Sequence, residues 1–241
     1  MFLKFIQISL IGLSFTAMVL LTNSCGLMGI AGSGVVKKEQ RKIALSYDKV
    51  NLKGSGSVYI TPSSSSSVTV EAEDNLLEYI ITEVTNGELI IREEGILYTT
   101  APIKIYVSAD TFSKLRIEGS GNINCSNTIT NKSLSLSISG SGSIFAKSET
   151  LTINNTISGS GDITSTGTTI TNNSTISGSG SIAMQNLTGT IGKVNISGSG
   201  NCNINVKNSL SVIISGSGSV NVWGSPKITS TITGSGIVNN K

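Results

Sequence analysis

The chain has 241 residues, of which 13% are charged, 5% are aromatic, 27 are Gly and none is His; ordinary soluble domains carry about 25% charged residues. A composition so poor in long helix-forming side chains excludes a helical bundle, and low charge with a positive mean hydropathy excludes solvated disorder. The net charge of +3 is too small to select nucleic acid as a partner, and the absence of His removes the commonest general base and metal ligand, so no cofactor or metal is expected.

Residues 1–21 read MFLKFIQISLIGLSFTAMVLL, one positive charge at Lys4 followed by an apolar run. This is the n-region and h-region order of an export signal. The run from Phe5 to Leu21 is 17 residues long and interrupted by Gln7, Ser9, Ser14 and Thr16, at the short limit of about 17–25 for a membrane span. Cys25, directly after it, resembles the acylated cysteine of the bacterial lipoprotein signal, where the chain is cut just before the thiol. Thr22, Asn23 and Ser24 depart from the usual Leu, small residue and Gly or Ala before that cysteine. The reading is a lipoprotein-type signal peptide at 1–24, a lipidated Cys25 opening a linker at 25–42, and one folded domain at 43–241. A plain cleaved signal and an uncleaved anchor are the alternatives. On the first reading the partner is a membrane, through the lipid anchor, and the location is the cell envelope, at the outer membrane.

Residues 48–62, DKVNLKGSGSVYITP, carry the first Gly-Ser-Gly, flanked by strand-forming residues. The chain then leaves this pattern. In VTVEAEDNLLEYIITEVTNGELIIREEG (68–95), Asp74 or Asn75 is expected to cap a short helical turn. Asn86-Gly87 marks a hairpin. PIKIYVSA follows, with Ile103, Ile105 and Val107 on one face of a strand. Eleven of the fourteen acidic residues lie between Asp48 and Glu118, so the charged excursion belongs to the N-terminal half (43–118), where it would cap or flank a repeat array.

From Gly119 on, Gly-Ser-Gly recurs at 119, 140, 159, 178, 198, 216 and 234, with spacings of 21, 19, 19, 20, 18 and 18. Two residues before each copy stand Leu52, Ile117, Ile138, Ile157, Ile176, Ile196, Ile214 and Ile232. Beyond each copy a second column runs Val58, Ile123, Ile144, Ile163, Ile182, Cys202 and Val220, with Ile237 assigned to the last. A unit of this size cannot bury its apolar face alone, but stacked units can. The period predicts a parallel β-helix of two or three short strands per rung, Ile over Ile, with Ser and Asn columns forming hydrogen-bonded ladders. Antiparallel hairpins are the alternative, but only one turn signal recurs per period. Right-handed coiling is the default for parallel crossovers. Cys125 and Cys202 fall in the inward phase, four rungs apart, and are predicted to be free, buried thiols.

The DKVNLKGSGSVYI start, the SSVTVEAEDNLLEYIITEVTNGELIIR excursion, PIKIYVSA and the KLRIEGSGNI return together resemble the bacterial head GIN domain family of autotransporter adhesins. The resemblance covers about residues 43–241. It implies a parallel β-helix in a cell-envelope protein, commonly a lipoprotein, and carries over no catalytic residue.

The alternative function is a carbohydrate-active β-helix enzyme of lyase or hydrolase type. Glycoside hydrolysis needs two carboxyls flanking the bond, whereas after Glu118 only Glu149 and Asp162 remain, and no Arg. Asp162 occupies a turn column otherwise filled by Asn122, Ser143, Ser181, Asn201 and Ser219. An ice-binding surface needs Thr at matched offsets, and the Thr run of 164–175 is not repeated in AMQNLTGTIGKVN, the next rung. The expected role is therefore non-enzymatic binding of glycan, peptidoglycan or an envelope protein, with Trp223, the only Trp, as a weak candidate for ligand contact.

Overall fold

The computed structural model describes residues 29–241; Cys25 and residues 1–24, the span expected to be a signal peptide, lie outside them. The strands in chain order are β1 (Ile30–Ala31), β2 (Val36–Arg41), β3 (Lys49–Gly54), β4 (Ser57–Pro62) and β5 (Ser67–Glu73). A 3₁₀ turn, Asp74–Tyr79, leads to β6 (Ile80–Thr85), β7 (Glu88–Glu93), β8 (Leu97–Tyr98), β9 (Lys104–Ala109) and β10 (Lys114–Gly119). The long strands are β11 (Asn122–Gly140), β12 (Ser143–Gly159), β13 (Asp162–Gly178), β14 (Ser181–Gly198) and β15 (Asn201–Gly216), followed by β16 (Ser219–Trp223), β17 (Lys227–Thr233) and β18 (Ile237–Asn240).

From β10 onward each strand pairs in parallel with the next copy of itself, which is the predicted parallel β-solenoid. The register locks Gly54, Gly119, Gly140, Gly159, Gly178, Gly198 and Gly216 into one column. The Ile column runs Ile91–Leu52–Ile117–Ile138–Ile157–Ile176–Ile196–Ile214–Ile232 in the same way. Ile157 and Ile176 are fully buried and Ile196 is nearly so, while Ile232, in the last level, is exposed. Each rung from β11 to β15 is one strand of 16–19 residues that bends at corners, not two or three short strands. The pairing continues through the corners because Ser160 and Ser199 donate their amides to Gly140 and Gly178, at 3.0 and 2.9 Å.

The two glycines of each corner serve different needs. The first has φ between +122° and +139° from Gly119 to Gly216, a region that side chains with a Cβ avoid. The second lies so close to the rung below that a Cβ at Gly200 would sit 2.8 Å from the Gly180 carbonyl oxygen and 2.5 Å from Ile176 Cγ2. Unequal periods are absorbed past the corner, where the register slips between Cys125 and Thr128, Thr164 and Gly167, and Met184 and Thr188. These bulges let rungs of different length keep one Gly column.

The second column needs one correction. The pairing of β16 with β18 sets Val238 opposite Val220 and Ile237 opposite Ser219. Ile237 is accordingly 53% exposed, because side chains alternate along a strand and its neighbour takes the inward place.

The excursion builds the N-terminal cover. β7 stacks in parallel on β3 and β9 on β4, so the β3–β4 rung lies between the excursion and the β10–β11 rung. Antiparallel strands then finish the sheet: β6 on β7 through an Asn86-Gly87 turn, and β5 with β2 on β9. Asn86 and Gly87 both have positive φ, 52° and 73°, as the tight hairpin requires. β2 falls inside the span predicted as linker; its exposed VKKEQR sequence lacks an apolar face, yet it pairs with β5 from Val36↔Glu73 to Arg41↔Val68. Lysines on such an edge discourage further pairing. The helical turn is present, but neither Asp74 nor Asn75 caps it. Their side chains are engaged elsewhere: Asp74 accepts from Ser33 Oγ at 2.6 Å, and Asn75 bridges the Ser33 amide and the Ala31 carbonyl at 2.9 and 2.8 Å.

Among the described residues every ion pair lies between Lys37 and Glu118. The solenoid beyond is held by backbone ladders and a core that is mostly apolar, the cap by charge as well. Tyr47 ties the cap together: it is buried, its hydroxyl donates toward Ser108 and Ser67 carbonyls at 2.8 and 3.1 Å, and burial pushes its pKa up to about 12.

Candidate functional site

The side of the coil that follows each Gly-Ser-Gly corner presents a continuous outer face. Its central column, five residues past the first glycine, runs Tyr106–Tyr59–Asn124–Phe145–Thr164–Ala183–Asn203–Asn221–Asn239. These side chains point outward because the flanking positions, Val58 and Ile60 or Ile144 and Ala146, are buried. Trp223 ends β16 two residues beyond Asn221, on the same face, half-buried and in register with Asn205. Gly224 then turns the chain with φ +91°.

At the cap end the face is aromatic and charged. Tyr59 and Tyr106 stack at 5.4 Å between ring centroids and 21° between planes, and Lys38 Nζ lies 5.4 Å from the Tyr106 ring. Rings stacked in register along the coil turn their edges, not their faces, to solvent. Glu71 gathers this corner, accepting from Lys104 at 3.0 Å and Tyr106 at 3.2 Å while pairing with Lys38 at 3.2 Å. The hydrogen bond from Lys104, then that from Lys38, holds its carboxyl below the ordinary value. At the other end the face is amide. Asn221 donates to Asn203 at 2.9 Å and Asn239 to Asn221 at 3.2 Å, and Ser219 donates to Asn201 at 2.6 Å. The expected ladder is thus present for Asn at this end of the coil, and Ser joins it through the single Ser219–Asn201 bond.

The remaining predicted residues do not join into a reactive centre. Asp162 stands in the column Asn122–Ser143–Asp162–Ser181–Asn201–Ser219 and is exposed. Glu149 is exposed in a shallow groove with Lys132, Leu151 and Thr168. It lies six residues along the strand from Ser143, the partner of Asp162, roughly 20 Å of extended chain. Two carboxyls acting on one glycosidic bond stand within about 10 Å. Cys125 and Cys202 are free and buried, on β11 and β15, and burial raises both thiols to about 12. Among the described residues no three His, Cys, Asp or Glu side chains cluster to hold a metal, and no helix is long and apolar enough to cross a membrane.

Sequence reasoning missed Tyr59, Tyr106 and Phe145. The signal was available for two of them, since Tyr59 and Phe145 each stand five residues past the first Gly of a repeat. Tyr106 lies in the excursion, outside any repeat, and only strand pairing sets it beside Tyr59.

Solved structures share the architecture. A Bacteroides fragilis protein described as a "putative adhesin" superposes with a TM-score of 0.84 at 22% identity, over 88% of this chain and 100% of its own. A Parabacteroides distasonis protein described as a "putative lipid binding protein" gives 0.75 at 25% identity, over 88% and 99%. A further P. distasonis "putative adhesin" gives 0.71 at 20%, over 88% and 100%. No curated relative matches the sequence. A family model described as "Putative auto-transporter adhesin, head GIN domain" matches residues 46–226. A match of that extent, on a fold that the solved structures share, places the chain in the head GIN domain family.

Proposed function

We propose that this protein is a non-enzymatic binding scaffold of the cell envelope, held to the outer membrane through acylated Cys25 after removal of residues 1–24. The observation that carries the binding role is the outer face: a run of Asn, Ser and Thr side chains with Phe145 and Trp223 among them, set in register over successive rungs. Such a face offers many weak polar contacts at fixed spacing. That suits a repetitive ligand such as glycan or peptidoglycan, or an envelope protein with a matching surface. The separation of Glu149 from Asp162 and the raised thiols of Cys125 and Cys202 favour binding over catalysis.

Two experiments test the reading. Membrane fractionation of the native producer should retain the wild-type chain in the envelope and release Cys25→Ala in soluble form, because stable anchoring needs two acyl chains. A soluble wild type, or one retaining residues 1–24, would refute the anchor. Glycan-array and peptidoglycan pull-down assays should show binding that weakens on Trp223→Ala or Phe145→Ala. Equal binding by the wild type and both variants would move the contact surface elsewhere.

A further inference from the structure

The interior of the coil changes character halfway along. In β11 the inward side chains Ile123, Cys125, Ile129, Leu134, Leu136 and Ile138 are apolar and at most 1% exposed. In β13 the inward positions between Ile163 and Ile176 are Ser165, Thr169, Asn172 and Ser174, all buried. β12 contributes Ser148, Thr150 and Asn155 at the same depth. Side-chain volume falls along the same columns. Ile129 is followed in register by Ser148, Gly167 and then Leu187; Leu136 is followed by Asn155, Ser174 and then Val194. Two successive rungs thus give up bulk and gain polar atoms, while the rungs on either side remain filled.

Part of this polar group satisfies itself. Asn155 Nδ2 donates to Asn172 Oδ1 at 3.3 Å and Ser174 Oγ donates to the same oxygen at 3.1 Å. Thr150 donates to Thr169 at 3.3 Å. Asn172 Nδ2 reaches Met184 Sδ at 3.2 Å, a weak acceptor. Three atoms are left without a protein partner: Ser148 Oγ, Ser165 Oγ and Asn155 Oδ1, on residues 0%, 1% and 1% exposed. Ser148 and Ser165 stand on adjacent rungs of one side of the coil. Asn155 enters from the side that leads into the next corner. A buried hydroxyl or amide oxygen without a partner costs about 1–3 kcal/mol, and buried polar groups in native proteins are nearly always paired.

We infer that the solenoid holds an internal water site in the lumen of the β12 and β13 rungs, lined by Ser148, Ser165 and Asn155. The hydrogen-bonding capacities are complementary: a water accepts from the two hydroxyls and donates to Asn155 Oδ1. It gains the two to four partners that characterise buried water, in a space opened by the loss of the Ile and Leu side chains. A cation fits less well. The site offers two hydroxyls and one amide oxygen, and none of the lumen residues of these rungs is a carboxylate, so the charge would be buried unpaired.

The test is a high-resolution crystal structure of the protein, with a second crystal soaked in a thallium salt. Density hydrogen-bonded to at least two of the three atoms, without anomalous signal, is the expected result. A dry lumen in which the three side chains turn to pair with one another would overturn the inference, as would anomalous density at the site. In solution, water-to-amide NOE cross-peaks of the sign given by long-lived water should appear at β12 and β13 amides. They should be lost in Ser165→Cys, which installs the residue found at Cys125 two rungs earlier in the same column. Cross-peaks unchanged in that variant would overturn the assignment, and if the variant does not fold, the wild-type crystal still decides.

Discussion

Alanine at Gly198 should break the solenoid at its corner, and the cost follows from two separate features. Gly198 has φ +122°, in a region populated almost only by glycine, where another residue costs about 1–3 kcal/mol. A Cβ there would lie 2.5 Å from the Gly178 carbonyl oxygen, short of the 3.4 Å at which ordinary contact begins. That oxygen cannot withdraw, because it accepts the Ser199 amide at 2.9 Å, and the Gly198 carbonyl accepts Ser217 on the next rung at 2.9 Å. Overpacking of this kind adds about 1–3 kcal/mol, so Gly198→Ala should destabilise by about 2–6 kcal/mol. Gly200→Ala tests the second feature alone: without a positive φ, it still meets Ile176 Cγ2 at 2.5 Å, and about 1–3 kcal/mol is expected. Ser199→Ala, between them and exposed, should stay within about 0.5 kcal/mol of wild type. Guanidinium unfolding followed by circular dichroism ranks the three. Equal midpoints for Gly198→Ala and Ser199→Ala would refute the account of the corner.

Ile176→Asp should prevent folding, since it sets an unpaired carboxylate between Ile157 and Ile196 in the core; a soluble, cooperatively unfolding variant would show the register to be wrong. Cys125 and Cys202, four strand steps apart and so separated by roughly 19 Å along the coil, exceed the reach of about 7 Å for a disulfide. Protein lacking Cys25 should therefore titrate two thiols when denatured and react slowly when folded, whereas a Cys125–Cys202 peptide in a non-reducing map would refute the stacking. The pKa of Glu71 is depressed in the fold, so its contribution is full above the ordinary carboxylate range of about 4.3 and is lost as pH falls through the lower folded value. Hydrogen exchange in β2, which carries Lys38, should accelerate over that acidic window in the wild type, and the pH dependence should flatten in Glu71→Gln; an unchanged profile in the variant would assign the effect to other groups.

The features legible in the sequence were those that the repeat locks to a fixed offset. Gly-Ser-Gly, the Ile two places before it and the inward Cys202 could be located by counting, because each must align with its copy for the ladder to continue. Tyr59 and Phe145 were equally countable but drew no notice, since a single aromatic per rung carries no periodic signal. Ile237 misled for a physical reason. It occupies the place that Asn122, Ser143 and Asp162 fill in earlier rungs, and an apolar letter next to the glycine suggests an inward residue. Strand alternation and its pairing with Ser219 turn it outward and give the core position to Val238. The cap was legible in part: the Asn86-Gly87 hairpin is a local signal, but the Lys38–Glu71–Tyr106 corner joins residues more than 30 positions apart through antiparallel pairings.

The polar lumen lay beyond sequence reasoning altogether, and the reason bears on how the coil is built. In NNSTISGSG the residues Asn172 and Ser174 read as solvent-facing, since Asn and Ser are mostly exposed in folded proteins. Their register with Ile153 and Asn155, and through these with Leu134 and Leu136, requires them to point inward. The Ile columns beside the Gly-Ser-Gly corner run through these rungs unbroken, so the backbone ladder and the corner packing continue across a segment whose remaining interior, Ala146 and Ile153 apart, is polar. Corner and ladder therefore specify the fold, and the rest of the lumen is free to vary in size and polarity as long as each buried polar atom finds a partner. On that division of roles, filling the β13 interior with apolar residues should alter stability and hydration while leaving the outer face, and any ligand it binds, unchanged.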